Sequence, residues 1–429
     1  MANLFSHTFR ALRGRNFRLF FVGQCISWIG TWMQQLALGW LAYKLSQSAF
    51  LLGLVSFAGM APTLLVTPFA GVLVDRVNRH KLVIITQTLA TIQALSLAVL
   101  ALSGSIQIWH LVVLGAFMGV ISSIDMPARQ AFMIQMIDDR SDLPNAIALN
   151  SSLVNVARLI GPTIAGILIL WVGEGMCFLL NGISYIAVIW ALCAMRIKPI
   201  PKPEHASSSI FLHFKEGLQY AVGFAPMRAI ILLLAAVSLF GSSYMVLMPV
   251  FAKDIFHGGP TVLTLLMAAS GLGALAGALF LAMRRSVRGL SRWIMFSSCL
   301  FGCGLIIFSL VKSLILAVPI LILCGFGMMV ELAGSNTILQ SLVDEDKRGR
   351  VMSLYTLSFM GMSPIGGLLA GILAARIGSP YTVLLCGGLT LICGLLFGTQ
   401  LPYIRQQMRP VYIEKGIITS EPTPDFNRN

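Results

Sequence analysis

Of sixteen acidic residues, only Asp125 and Glu331 lie well inside long apolar stretches of the chain. A charge placed in hydrocarbon costs at least about 2.5 kcal/mol, so each carboxyl there needs a partner or a water-filled cavity. Their surroundings differ. Asp125 and Arg158 lie equally far from the centre of the polar turn between Asp138 and Asn145, so antiparallel helices on either side would hold them at one depth. Arg129 follows Asp125 by four residues, the acid-first order that suits a helix. Asp125, Arg129 and Arg158 are therefore expected to form an intramembrane ion pair, structural or gating, with Asp125 ionised. The same construction about the loop from Asp344 to Arg350 mirrors Glu331 onto Ser363, which carries no charge. A carboxyl buried without a counter-ion titrates nearer neutrality, as a reversible proton carrier must. Glu331 is the expected proton-coupling residue; the competing reading is a neutral acid hydrogen-bonded between helices.

The elements that must hold these groups follow from composition. The 429 residues are 57% hydrophobic and 11% charged, and the mean hydropathy is +0.85. That excludes a soluble enzyme, a secreted disulfide scaffold and a disordered chain, and describes a polytopic membrane protein. One crossing takes roughly 20 residues of helix. Apolar segments run over 17–43, 50–74, 82–103, 108–136, 146–171, 176–195, 228–250, 261–283, 291–311, 314–341, 351–375 and 381–401. The expected fold is all-α, with twelve transmembrane helices. Arg10, Arg13, Arg15 and Arg18 precede the first segment like the basic region of a signal peptide. The segment is too long for one and lacks a small-residue cleavage site, so it is expected to remain.

With the amino terminus inside, 25 of the 30 Lys and Arg fall on the inner face and four on the outer, Lys44, Lys253, Lys312 and Arg376. This asymmetry predicts both termini cytoplasmic. The net charge of +14 then reflects topology and anionic lipid, not nucleic acid. A Pro-rich break divides the chain into a bundle over 1–195, a cytoplasmic linker over 196–227 with a surface helix drawn from 211–224, a second bundle over 228–401, and a tail over 402–429 without regular structure. Segments 137–149 and 343–354 repeat each other at an offset of 205 or 206, as does Ala-Gly-Ile-Leu at 165 and 370. Such a parallel repeat predicts two pseudo-symmetric six-helix bundles with a site at their interface. Asp125 and Glu331 then occupy equivalent positions.

In the first span Gln24, Trp28, Thr31 and Gln35 share one helical face, with Trp32 beside it. A polar face is costly against lipid and is expected inside, as part of a substrate-contacting surface. Tyr244, next to Ser242 and Ser243, and Asn336 add hydrogen-bonding groups. The eight cysteines fall in apolar runs without metal or disulfide spacing, and the six histidines are scattered. No phosphate-binding loop of the G-x-x-x-x-G-K-[ST] type occurs. No cofactor or metal is expected. Gly273, Gly277, Gly367 and Gly371 are read as helix packing.

Gly71-Val-Leu-Val-Asp75-Arg76-Val-Asn78-Arg79-His80-Lys81 resembles the loop signature of the major facilitator superfamily between spans 2 and 3, with Asn for glycine at 78, a residue tolerated in a left-handed turn. The resemblance implies a cytoplasmic gate motif of Gly71, Asp75, Arg76 and Arg79. Phe9 to Leu12, Ser27 to Gln35, Asp125 to Ala131 and Glu174 to Asn181 are similar to the subgroup of enterobactin-type siderophore exporters and macrolide exporters. Span 5, with Ala157, Gly161-Pro162 and Ala165-Gly166, is close to the antiporter motif, alanines replacing two glycines. The resemblance implies a secondary active transporter of the bacterial inner membrane, exporting a small amphipathic molecule in exchange for protons by alternating access. Its implied partners are the bilayer, the substrate and protons, and it implies a monomer. A lysophospholipid flippase or nutrient importer of the same fold, and more remotely an intramembrane enzyme, remain open at this point.

Overall fold

The computed structural model describes residues 10–137, 139–197, 218–284 and 286–417. These form twelve long helices, and among the described residues there is no strand. The first six are α1 (Arg15–Ser46), α2 (Ala49–Arg76), α3 (Arg79–Leu102), α4 (Ile108–Met136), α5 (Leu143–Val172) and α6 (Glu174–Cys193). The second six are α7 (Ala225–Val250), α8 (Pro260–Ala282), α9 (Leu290–Leu310), α10 (Leu314–Leu342), α11 (Arg348–Ile377) and α12 (Ser379–Glu414). Eleven are apolar and long enough to cross a bilayer. Helix α1, of 32 residues, is diluted by polar residues, of which Gln24 and Gln34 are turned inward. Apolar side chains elsewhere point outward, with Trp171 and Ile315 each 83% exposed, as lipid contact requires.

Two helices depart from regular geometry. Helix α7 runs on into a wider π turn, Phe251–Ile255. Helix α11 is interrupted by another, Leu357–Gly361. Such turns weaken the backbone ladder locally and are common at functional places.

Three expectations need correction. The chain after Pro402 is helical to Glu414, because Leu401, Ile404, Met408 and Tyr412 recur at helical spacing and are buried. A proline costs a helix only one backbone bond when packing supplies the rest. Lys415 then donates to the carbonyls of Leu342 and Val343 at 3.1 and 2.6 Å, closing the end of α10. Asn78 is not left-handed: its φ is −68°, and its side chain caps α3 by accepting from the Lys81 N–H at 3.1 Å. Asparagine is as good a helix cap as it is a turn residue. Finally, Met248–Ala268 groups with the first compact unit, Met1–Ala206, whereas the second comprises Ser207–Leu247 and Ala269–Asn429. The last residues of α7 and the start of α8 thus do not follow the second half of the sequence. Of the expected surface helix, residues 218–223 are helical; the remainder, and residues 418–429, lie outside the described residues.

Within each unit, corresponding helices pack in the same pairs. Helix α3 packs against α4 and α6 in the first unit, as α9 does against α10 and α12 in the second. The turns between the fourth and fifth helices match too. Arg10 forms an ion pair with Asp142 and donates to Ser141 O at 2.6 Å, and the Ala11 N–H donates to Asn145 Oδ1 at 3.0 Å. In the second unit the Tyr220 hydroxyl donates to Asp344 at 2.9 Å, under the ammonium of Lys347, 4.5 Å from the ring centre. In both halves a short segment preceding the first helix clamps the loop between the fourth and fifth. In the first of these loops the Ser141 N–H bonds Asp139 at 2.9 Å and, with its side chain, holds that carboxyl below its usual range.

Close packing in the second unit depends on small residues. A Cβ on Gly325 would lie 2.0 Å from the carbonyl oxygen of Ser270, so α8 and α10 touch backbone to backbone. Gly273 and Gly277 face α10 in the same way. Gly325→Val should force the helices apart and cost about 1–3 kcal/mol or more. Thermal unfolding of the purified protein in detergent measures this; an unchanged midpoint would contradict the packing.

Candidate functional site

In the first unit a run of polar side chains crosses the interior from α1 to α3, α4 and α6. Asp125 on α4 is 3% exposed. One of its oxygens accepts from the Thr86 hydroxyl at 2.6 Å and from the Gln87 amide at 2.9 Å, both on α3. The other pairs with Arg129, one turn along the same helix. Arg129 also donates to Gln24 on α1, and its guanidinium lies over the Trp28 ring, 5.2 Å from the centroid. The carboxylate is therefore supplied with donors on both oxygens, as a buried charge requires.

Arg158 on α5 takes a different seat. Its guanidinium lies over Trp32, 5.1 Å from the ring centre, and the ion pair formed at Asp125 is that with Arg129. The two arginines thus stack on tryptophans one turn apart on α1. The expected stripe on α1 is divided among roles. Gln24 is fully buried and Trp28 and Trp32 support the arginines, while Thr31 shares a hydrogen bond of 3.1 Å with Tyr185 on α6. Gln35 is exposed.

The sequence reading passed over a second polar cluster next to this one. Gln34 donates to Gln93 on α3 at 3.0 Å and accepts from Asn181 on α6 at 2.8 Å. Gln93 in turn donates to the Leu114 carbonyl on α4 at 3.1 Å. The signal was available: Thr86, Gln87, Thr91 and Gln93 interrupt an apolar span as Gln24 and Gln34 do. Buried amides in a membrane helix must find partners inside the protein.

In the second unit Glu331 on α10 is 1% exposed. The Ser335 hydroxyl, one turn on, donates to it at 3.3 Å. Among the described residues no cation pairs with it. Its neighbour Leu332 accepts from the Tyr355 hydroxyl at 3.2 Å, just before the π turn of α11. Asn336 lies on α10 beyond Ser335 and accepts from Gln340. Tyr244 is fully buried inside the unit, sharing a 2.9 Å hydrogen bond with Ser270 and meeting Phe301 edge-on at 5.7 Å.

The loop motif is set at the junction of α2 and α3. Gly71 and Asp75 lie on the last turns of α2, which ends at Arg76, and Arg79 begins α3. The Asp75 side chain lies outside the described ones. His80, in a basic position of the motif, stacks on Phe132 at 5.2 Å, and one ring nitrogen lies 2.9 Å from the Leu192 carbonyl. It joins α3 to α4 and α6 instead of acting as a surface charge.

The Asp125–Arg129 pair makes a thermodynamic prediction. Removing one partner of a buried pair costs about 3–5 kcal/mol, whereas removing both costs much less. Asp125→Asn and Arg129→Gln should each lower the unfolding midpoint in detergent, and the double variant should recover part of the loss. Additive losses would show that the two residues act separately.

The model of the transmembrane secretion effector family matches residues 6–412. The staphyloferrin A transporter of Staphylococcus aureus is 26% identical, over 89% of this chain and 95% of its own length. The multidrug efflux pump Tap of Mycolicibacterium fortuitum is 24% identical over 86% of this chain and 91% of its own. For macrolide efflux protein A of Streptococcus pyogenes the figures are 26%, 88% and 93%. A crystallised POT family transporter matches with a TM-score of 0.71 at 14% identity, covering 91% of this chain and 96% of its own. The nucleoside transporter NupG gives 0.68 at 12%, covering 90% and 98%. These structures share the fold. Loop motif, helix pairing and family match agree, and the chain belongs to the transmembrane secretion effector family of the major facilitator superfamily.

Proposed function

We propose that the protein is a proton-coupled exporter of small amphipathic molecules, siderophore-like or drug-like, working by alternating access in a bacterial inner membrane with both termini cytoplasmic. The observation that carries the coupling is the contrast between two equivalent carboxyls. Asp125 is neutralised in place by Arg129, Thr86 and Gln87. Glu331 is buried as deeply with one serine hydroxyl. An isolated carboxyl in an apolar interior exchanges charge by exchanging a proton, which is what coupling to a proton gradient requires. In this reading Glu331 loads a proton from the outer side and releases it inside. Substrate leaves during the opposite half of the cycle.

The substrate class draws on the relatives named for staphyloferrin A, macrolides and multiple drugs. The cytoplasmic placement of both termini draws on the distribution of Lys and Arg between the two faces. Trp28 and Trp32 of α1 and Asn336 of α10, each half-buried, are the proposed contacts for substrate, and the Gly71–Arg79 segment the cytoplasmic gate.

Reconstituted protein with an imposed proton gradient tests the reading. Ethidium, erythromycin, staphyloferrin A and a labelled lysophospholipid serve as separate probes. Gradient-driven movement of one of the first three supports small-molecule export. Movement of the lipid alone would replace it with lipid transport. Glu331→Gln should abolish uphill, proton-dependent movement while leaving exchange down a concentration gradient. Uphill transport by Glu331→Gln at the wild-type rate would remove Glu331 from the coupling scheme.

A further inference from the structure

Arg158 stands midway along α5, a span of 30 residues in which it is the one charged side chain. The neighbouring α4 carries Arg129 and a single acid, Asp125. Together the two helices bring one positive charge more than they bring negative. A charge held midway along a span needs a partner or a watery cavity, and such charges mark the paths of polar solutes.

Both guanidiniums are seated on rings of α1, Arg129 over Trp28 at 5.2 Å and Arg158 over Trp32 at 5.1 Å. All four side chains are half-buried, so each stack keeps a side that a solute can reach. A guanidinium lying over an aromatic face keeps its N–H groups at the rim of its own plane. Arg129 gives one bond to Asp125 and one to Gln24, and has further N–H groups left.

Three buried polar atoms of this region have no hydrogen-bond partner among the described residues: Gln24 Nε2 and Trp32 Nε1 on α1, and Gln87 Oε1 on α3. Because a guanidinium only donates, its bond to Gln24 turns the amide oxygen towards Arg129 and leaves the Nε2 donor over. The indole N–H of Trp32 can likewise only donate. The left-over acceptor, Gln87 Oε1, belongs to the amide whose nitrogen serves Asp125. Along α1, therefore, an excess of donors adjoins an excess of positive charge, and a buried donor without an acceptor is costly. A cationic solute would meet two guanidiniums here. An oxyanion supplies the missing charge and the missing acceptors together.

We propose that Trp28, Trp32, Arg129 and Arg158 form a subsite, inside the first unit, for the carboxylate of an acidic amphiphile, with Gln24 Nε2 and Trp32 Nε1 as further donors. This deepens the transport reading, on which it rests for the consequence that acids are the molecules carried; the binding itself stands on the geometry. Asp125 already occupies part of Arg129, so Arg158 is the principal cation for the ligand. A planar carboxylate accepts paired N–H bonds from a guanidinium edge, and the apolar remainder of the ligand lies against indole surface.

Calorimetric titration of the purified protein in nonionic detergent tests the subsite with naphthoate and its uncharged isostere naphthamide. Naphthoate should bind about tenfold more tightly than naphthamide. Equal affinities, or no binding of naphthoate, would overturn the subsite whatever transport assays show. Arg158→Gln should erase the preference and Arg158→Lys should restore part of it; a preference kept in full by folded Arg158→Gln protein would remove Arg158 from the site. Trp32→Phe retains a ring beneath the guanidinium and loses only the indole N–H, so it should weaken naphthoate and spare naphthamide. Displacement of naphthoate by lysophosphatidylglycerol at lower concentrations than unlabelled naphthoate needs would overturn the soluble acid in favour of a lipid anion. Preferential naphthoate binding by protein that moves no probe under a proton gradient would count against the transport reading alone.

Discussion

An ionised or amide side chain in hydrocarbon must find every partner it needs within its own protein, and the first unit is arranged around that constraint. The Asp125–Arg129 pair draws on Thr86 and Gln87 from α3 and on Gln24 and Trp28 from α1. Satisfying one carboxylate therefore sets the rotation and depth of three helices. The adjoining Gln34–Gln93–Asn181 chain extends the same demand to α6. Helix α1 supplies Gln24, Trp28 and Gln34 to these contacts, and α3 supplies Thr86, Gln87 and Gln93. The polar face of α1 exists to serve the interior.

The second unit repeats the helix pairing but not the chemistry. Its closest approaches are glycine to backbone, between α8 and α10 at Gly325 and Gly273. Its interior carboxyl has a serine where the first unit has an arginine. One repeat is thus locked by charge and the other packed by shape. Hydrogen bonds to a fixed ion pair tolerate little sliding, whereas apolar and glycine-lined contacts impose fewer directional demands. The two π turns, in α7 and α11, both arise in helices of the second half.

Much of the fold was legible in the sequence because hydropathy is a direct image of the bilayer. Segment ends were placed within a few residues for most helices, and Asp125 and Glu331 lie in helices of 29 residues each. What failed were places where one residue type serves two purposes. Pro402 reads as a helix end until Leu401, Ile404, Met408 and Tyr412 are seen to pack. Asn78 suits a left-handed turn and a helix cap equally, and the cap won. At the site, the acid-first pairing of Asp125 with Arg129 was readable, whereas the seat of Arg158 over Trp32 was not. The amides of α3 were overlooked because hydropathy averages absorb single polar residues.

The energetics separate the two carboxyls further. A buried ion pair seldom stabilises a fold relative to apolar residues of the same volume, because desolvating both charges offsets their attraction. The Asp125–Arg129 pair is thus poorly explained as a source of stability and well explained as a register, since only one rotation of α1, α3 and α4 brings all its donors together. Each partner of the pair is held by the other, for without the carboxylate Arg129 would be left with the Gln24 amide oxygen and the Trp28 ring. Glu331 has no such obligation. Its serine neighbour can donate to a carboxylate or accept from a carboxylic acid with little movement, so both protonation states fit the same surroundings. A site that fixes a charge and a site that tolerates either state are different devices. The repeat has placed one in each half.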